Sequence, residues 1–112
     1  MRIESVTDEE IRFDNGNTIT FSHERDCCEY NWADFSILNP NVVNYYYDFD
    51  EDLMFEFVEG LGFLFGSIDE NEMQHMIFIP CYSDQNGYYS TEIDIYYNDH
   101  KVLNGECYEI ID

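Results

Sequence analysis

The chain has 112 residues and sets 25 Asp and Glu against 4 Lys and Arg, a formal net charge of -21 at pH 7. That balance excludes binding of nucleic acid through a basic face, which needs clustered Lys and Arg against phosphate, and it excludes attraction to an anionic membrane. Disorder is excluded too, because 45% of the residues are hydrophobic and 18% aromatic, far more core material than a charge-expanded chain carries.

The length predicts a single compact domain over residues 1–112. The first residues hold no apolar h-region, and nowhere do 18 apolar residues follow one another, so neither a secretory signal nor a membrane helix is expected. Of the four cysteines, Cys27 and Cys28 are adjacent and make poor disulfide partners. Free thiols and a cytoplasmic location are the expectation. The carboxylates divide nine, nine and seven among residues 1–37, 38–75 and 76–112, so the charge belongs to the folded surface and not to a tail.

In chain order, Ile11–Phe13 and Thr18–Phe21 alternate apolar with polar residues around Asp14-Asn15-Gly16, the pattern of a hairpin with a tight turn. Asp26 stands in an N-cap position with Glu29 three residues on, as in a capping box. With the spacing of Cys27, Cys28, Tyr30, Ala33, Phe35 and Leu38 it predicts a short helix over residues 27–36. Pro40 and its Asn neighbours break the chain, and Asp48–Asp52 reads as an acidic loop. Phe55–Val58 and Phe63–Phe65 read as strands joined through Glu59–Gly62, and Met76–Ile79 as a buried strand ended by Pro80. A polar turn over Ser83–Gly87 precedes two further strands, Ile93–Tyr97 and Cys107–Ile111. The sum is an α+β fold: a mainly antiparallel sheet of about six or seven strands with one or two short helices packed on it.

Four groups of residues bear on chemistry. Asp48, Asp50, Asp52, Glu56 and Glu59 are spaced like a calcium loop, but Leu53 occupies the sixth position, where such a loop turns on glycine, and the segment is too apolar. It reads instead as an acidic turn entering a strand. His23, Cys27 and Cys28 are zinc-ligand or nucleophile types, and a cysteine at a helix start has its thiolate stabilised by backbone N–H groups. Vicinal cysteines fit a tetrahedral ion poorly, though, and Asp26 and Glu29 disfavour a thiolate; no metal or cofactor is expected. Residues 80–90 mix tyrosines with amides and hydroxyls around Gly87, which suits either a plain hairpin or an adaptable binding surface. Tyr45, Tyr46 and Tyr47 cannot all point inward from one strand, so at least one is expected at the surface. No P-loop, G-x-G-x-x-G, G-x-S-x-G or H-E-x-x-H pattern occurs, and an enzyme of familiar type is not expected.

Three motifs follow one another along the chain: Phe13-Asp14-Asn15-Gly16; His23-x-x-Asp26-Cys27-Cys28-Glu29 with Ala33-Asp34-Phe35; and Pro80-Cys81-Tyr82-Ser83-x-Gln85-Asn86-Gly87-Tyr88-Tyr89-Ser90. Together they resemble a family of small acidic bacterial and phage proteins of unknown function, over residues 11–97. The resemblance implies a compact intracellular domain and brings no activity, cofactor or catalytic residue.

Three functions compete. The first is a non-enzymatic binding module whose candidate surface joins His23, Asp26, Cys27, Cys28 and Glu29 to Tyr82, Ser83, Gln85, Asn86, Tyr88 and Tyr89. The second is a DNA mimic or anti-defence inhibitor that offers spread carboxylates to a basic protein partner. The third is a thiol- or metal-dependent site around His23, Cys27 and Cys28. The first is preferred.

Overall fold

The computed structural model describes residues 1–22, 30–38, 47–85 and 90–111. Among these residues, ten strands form two five-stranded sheets. The first sheet runs β1 (Ile3–Val6), β2 (Glu10–Phe13), β3 (Thr18–Ser22), β8 (Glu92–Tyr97) and β9 (His100–Glu106), antiparallel throughout. The second contains β4 (Tyr30–Ala33), β5 (Met54–Val58), β6 (Gly62–Ile68), β7 (Gln74–Gln85) and β10 (Tyr108–Ile111). The twelve-residue β7 organises it: residues 74–80 pair with β6, and residues 81–85 are flanked by β4, antiparallel, and β10, parallel. Parallel strands need a long crossover, and here the β8–β9 hairpin of the opposite sheet supplies it.

The sheets pack face to face. Phe13 of β2 meets Phe65 of β6 edge-on at 6.4 Å, and Phe55 of β5 lies 5.5 Å from the Tyr97 ring of β8. Phe57 covers Gly105 of β9 so closely that a Cβ there would sit 2.2 Å from the ring. Ile11, Ile19, Ile93 and Ile95 face Phe63, Phe65, Ile77 and Ile79 across the core. Phe49, inside the acidic stretch, turns inward between Phe13 and Phe65 with ring centroids at 6.0 and 5.8 Å. Met1 holds it there by exchanging backbone bonds with Phe49, while its ammonium meets Asp48 at 2.8 Å.

The expected hairpin is present: β2 and β3 flank a turn with Gly16 at φ +91°. The Asp48–Asp52 stretch does lead into a strand, β5, and the β5–β6 hairpin turns where glycine was expected, with Gly60 at φ +77°.

The α+β expectation is overturned. Among the described residues the only helical element is the 3-10 turn Phe35–Ile37, and no helix layer covers either sheet. Of the helix expected over residues 27–36, residues 27–29 lie outside the described residues and 30–33 form β4. The local reason is a period of two: Tyr30 and Trp32 point outward while Asn31 and Ala33 are buried. The bend into the 3-10 turn is made by Asp34, whose carboxylate accepts from the Ser36 backbone N–H and hydroxyl.

A second correction concerns Pro80, which does not end β7. The Pro80 carbonyl accepts from Asp34 N–H while Cys81 N–H donates to Leu61, so the two groups of one trans peptide point to opposite edges. Within a strand, the N and C=O of one residue face the same edge. The missing N–H of Pro80 therefore faces the edge where β4 has just turned away, and no ladder bond is lost.

Candidate functional site

Along β7 the alternation is unbroken from Ile77 to Gln85: odd-numbered residues are buried, and Phe78, Pro80, Tyr82 and Asp84 point outward. The partners continue the outward row. Register sets Trp32 and Tyr108 beside Tyr82, Tyr30 and Ile110 beside Asp84, and Leu64 beside Phe78. The rings touch in sequence: Tyr30 stacks on Trp32 at 5.0 Å and 18°, Trp32 leans on Tyr82 at 5.5 Å, and Tyr82 meets Tyr108 edge-on at 6.3 Å. Tyr30, Phe78 and Tyr108 remain 43, 39 and 52% exposed. The outer face of the first sheet differs in kind, with Arg12, Thr18, Thr20, Ser22, Asp94 and Tyr96 at the corresponding positions. An outward aromatic row on one sheet of a sandwich is the arrangement that marks a contact surface.

Two hollows adjoin Tyr30. One of about 530 Å³ runs between the β1–β2 turn and β3, with Glu9, Glu10, Thr20 and Ser22 in its wall. The other, about 260 Å³, lies between Trp32 and the 3-10 turn, with Asp8, Asp34 and Ser36. Neither has a Lys or Arg among its described lining residues.

Behind the row lies a polar cluster. Asn31, 1% exposed, donates its amide N–H groups to the Ser90 and Glu92 carbonyls, each at 3.0 Å. Gln85 donates to the Ser83 hydroxyl at 2.6 Å and to the Ser90 carbonyl at 3.2 Å. Asn31 Oδ1 is buried without a hydrogen-bond partner among the described residues. These bonds tie β4 and β7 to the start of β8 and hold the aromatic row rigidly from within.

The candidate residues divide accordingly. His23, Asp26, Cys27, Cys28, Glu29, Asn86, Tyr88 and Tyr89 lie outside the described residues, as do Tyr45 and Tyr46. Tyr82 is in the outward row; Ser83 and Gln85 face inward as members of the buried cluster. Tyr30 pairs with Asp84, so the first residue of β4 lies beside the end of β7. Sequence reasoning missed Tyr30, Trp32, Phe78 and Tyr108 as surface residues. The alternation of Tyr30 and Trp32 would have disclosed the first two had residues 30–33 been read as a strand.

Other reactive groups among the described residues sit in packed or hydrogen-bonded settings. Cys81 and Cys107 are buried, and the Cys81 thiol is pushed far up by its hydrogen bond with Cys107 and by burial, which makes it a poor nucleophile. The Asp69 carboxylate accepts from the Asn71 and Met73 N–H groups and meets His75 Nε2 at 2.9 Å, closing the β6–β7 hairpin. Those bonds, Met73 N–H foremost and His75 next, hold its carboxyl below the usual aspartate range. Tyr47 packs on His75 at 4.8 Å. Among the described residues no three His, Cys, Asp or Glu side chains converge as metal ligands, and no helix is long and apolar enough to cross a membrane.

Comparison with protein-family models, with curated proteins and with solved structures finds no match.

Proposed function

We propose that the protein is a non-enzymatic binding module of bacterial or phage origin, and that its contact surface is the outward face of β4, β7 and β10. The observation that carries this reading is the continuous ring contact from Tyr30 through Trp32 and Tyr82 to Tyr108 on a solvent-facing sheet surface. A row of apolar side chains gains nothing from facing water, whereas against a partner it supplies large, rigid contact area. A cytoplasmic location fits the sequence, in which Cys27 and Cys28 are adjacent and make poor disulfide partners. The test is capture from cell extract by immobilised protein, comparing wild type with Tyr108→Ser and with Tyr96→Ser on the other sheet. Loss of a captured protein with Tyr108→Ser but not with Tyr96→Ser supports the reading; equal capture by both refutes it.

A second reading, mimicry of DNA toward a basic nucleic-acid-binding protein, is favoured by a separate observation. No Asp or Glu is buried among the described residues, and the only side-chain ion pairs there to Lys or Arg are Arg12–Glu10 and Lys101–Asp94. Capture by this route should collapse as salt rises, because exposed charges are screened within about 8 Å at physiological ionic strength. A packed aromatic contact should persist.

A further inference from the structure

The aromatic row and the charge of this chain point to the same kind of partner. Asp84 shares the outward face with Tyr30, Trp32, Tyr82 and Tyr108, and Asp8 and Asp34 stand in the hollow beside Trp32. The cations among the described residues lie elsewhere: Arg12 is paired with Glu10, Lys101 with Asp94, and Arg2 lies close enough to act on the Asp48 carboxylate. With a net charge of -21, the field over this face concentrates cations and repels polyanions, so nucleic acid is disfavoured and a neutral ligand gains nothing from it.

Within the cations, the geometry discriminates. A guanidinium is planar, weakly hydrated and always charged; it stacks on an aromatic ring and still directs its N–H fork at a carboxylate. A lysine ammonium is a compact, strongly hydrated point charge that leaves the ring face poorly covered. Trp32 provides the largest ring, partly buried between Tyr30 and Tyr82, with the Asp34 carboxylate one strand-end away.

We propose that the Tyr30–Trp32–Tyr82–Tyr108 face is a receptor for an arginine-bearing cationic segment of a protein partner. The inference rests on the reading of this face as the contact surface and adds the chemistry of what it contacts. Each guanidinium stacks on a ring of the row and pairs with Asp34, Asp84 or Asp8, and affinity depends on both interactions together.

Trp32 is the only tryptophan in the chain, so its emission reports on this face alone. The test titrates the protein at physiological salt with a nona-arginine peptide, a nona-lysine peptide and a soluble neutral glucan. Nona-arginine should change Trp32 emission and bind about fivefold or more tighter than nona-lysine, as two stacked cations warrant. Tyr108→Ser should bring that ratio toward one, and Asp84→Asn should weaken both peptides alike; thermal melts of each variant verify folding. Equal binding of the two peptides without a change in Trp32 emission would overturn the inference, since charge alone would then explain binding. An arginine preference that survives Tyr108→Ser and Tyr82→Ser would overturn it as well. A response to the glucan with none to nona-arginine would overturn the cationic partner yet leave the face as a contact surface, which the capture experiment tests separately.

Discussion

Asn31 is the side chain on which the rigidity of the aromatic face most depends, and its substitution separates two physical effects. Replacement by alanine removes the Asn31 donor from the Glu92 carbonyl and leaves the Ser90 carbonyl with Gln85 alone, a loss of about 1–3 kcal/mol. The same change removes the unpartnered Oδ1, which offsets part of that loss, so the net loss for Asn31→Ala is about 0–2 kcal/mol. Asn31→Asp is far more severe at neutral pH. It sets a carboxylate in a site 1% exposed, facing carbonyl oxygens where donors stood. Burial raises such a carboxyl by up to about 3–5 pKa units, and at pH 7 the cost levels off near about 4 kcal/mol, because above that the folded protein keeps the group protonated. That approaches the whole stability of a domain at the lower end of the usual range, about 5–15 kcal/mol. The raised folded pKa sets the sign: the deficit is small below about pH 4 and grows as pH rises from there through the folded value. Urea melts of wild type, Asn31→Ala and Asn31→Asp near pH 3 and near pH 7 measure it, each variant compared with wild type at the same pH. An Asn31→Asp protein as stable as wild type at pH 7 would refute the bonds assigned to this amide.

Other consequences are accessible to routine measurement. Gly66→Ala should destabilise more than Gly105→Ala, because a Cβ on Gly66 would lie 1.9 Å from the backbone oxygen of His75, whereas on Gly105 it would press on the Phe57 ring, which can shift. Overpacking of the second kind costs about 1–3 kcal/mol, and equal melting temperatures for the two variants would contradict the β6–β7 geometry. Since the Asp69 carboxyl is held low in the folded state, its contribution is present above about pH 4 and lost as pH falls through the folded value. Asp69→Asn should flatten that part of the acid-stability profile, and an unchanged profile would count against the hairpin bonds. Peptide-level alkylation should find Cys81 and Cys107 protected in the native protein and reactive in urea; rapid native labelling of either would contradict its burial.

Much of the sheet structure was legible in the sequence. Asn15-Gly16 announced the β2–β3 turn, and alternation announced β3, β5 and β8. What failed did so for identifiable reasons. Cys27 to Leu38 offered a helical spacing and a capping box, but the aromatic, period-two run Tyr30–Ala33 finds a partner in the second half of β7, and pairing outweighed local propensity. The β8–β9 hairpin was missed although Asn98 and Asp99 are residue types suited to a turn with two positive φ angles, 51° and 65° here. The apolar run Met76–Ile79 read as a buried strand ended by Pro80. Its Phe78 side is instead exposed, and that difference between pattern and environment exposes the site. Ser83 and Gln85 looked like surface hydrogen-bonding groups because sequence alone does not fix which parity of a strand points inward.

Binding is proposed to take place on the outward face of β4, the second half of β7 and β10. Backbone amide shifts of the isotope-labelled protein, recorded as its captured partner is added, test this most directly. The perturbed amides should centre on Tyr30–Ala33, Cys81–Asp84 and Tyr108–Ile110. Perturbations centred on the outer face of β2, β3 and β8, or scattered evenly over the surface carboxylates, would contradict it.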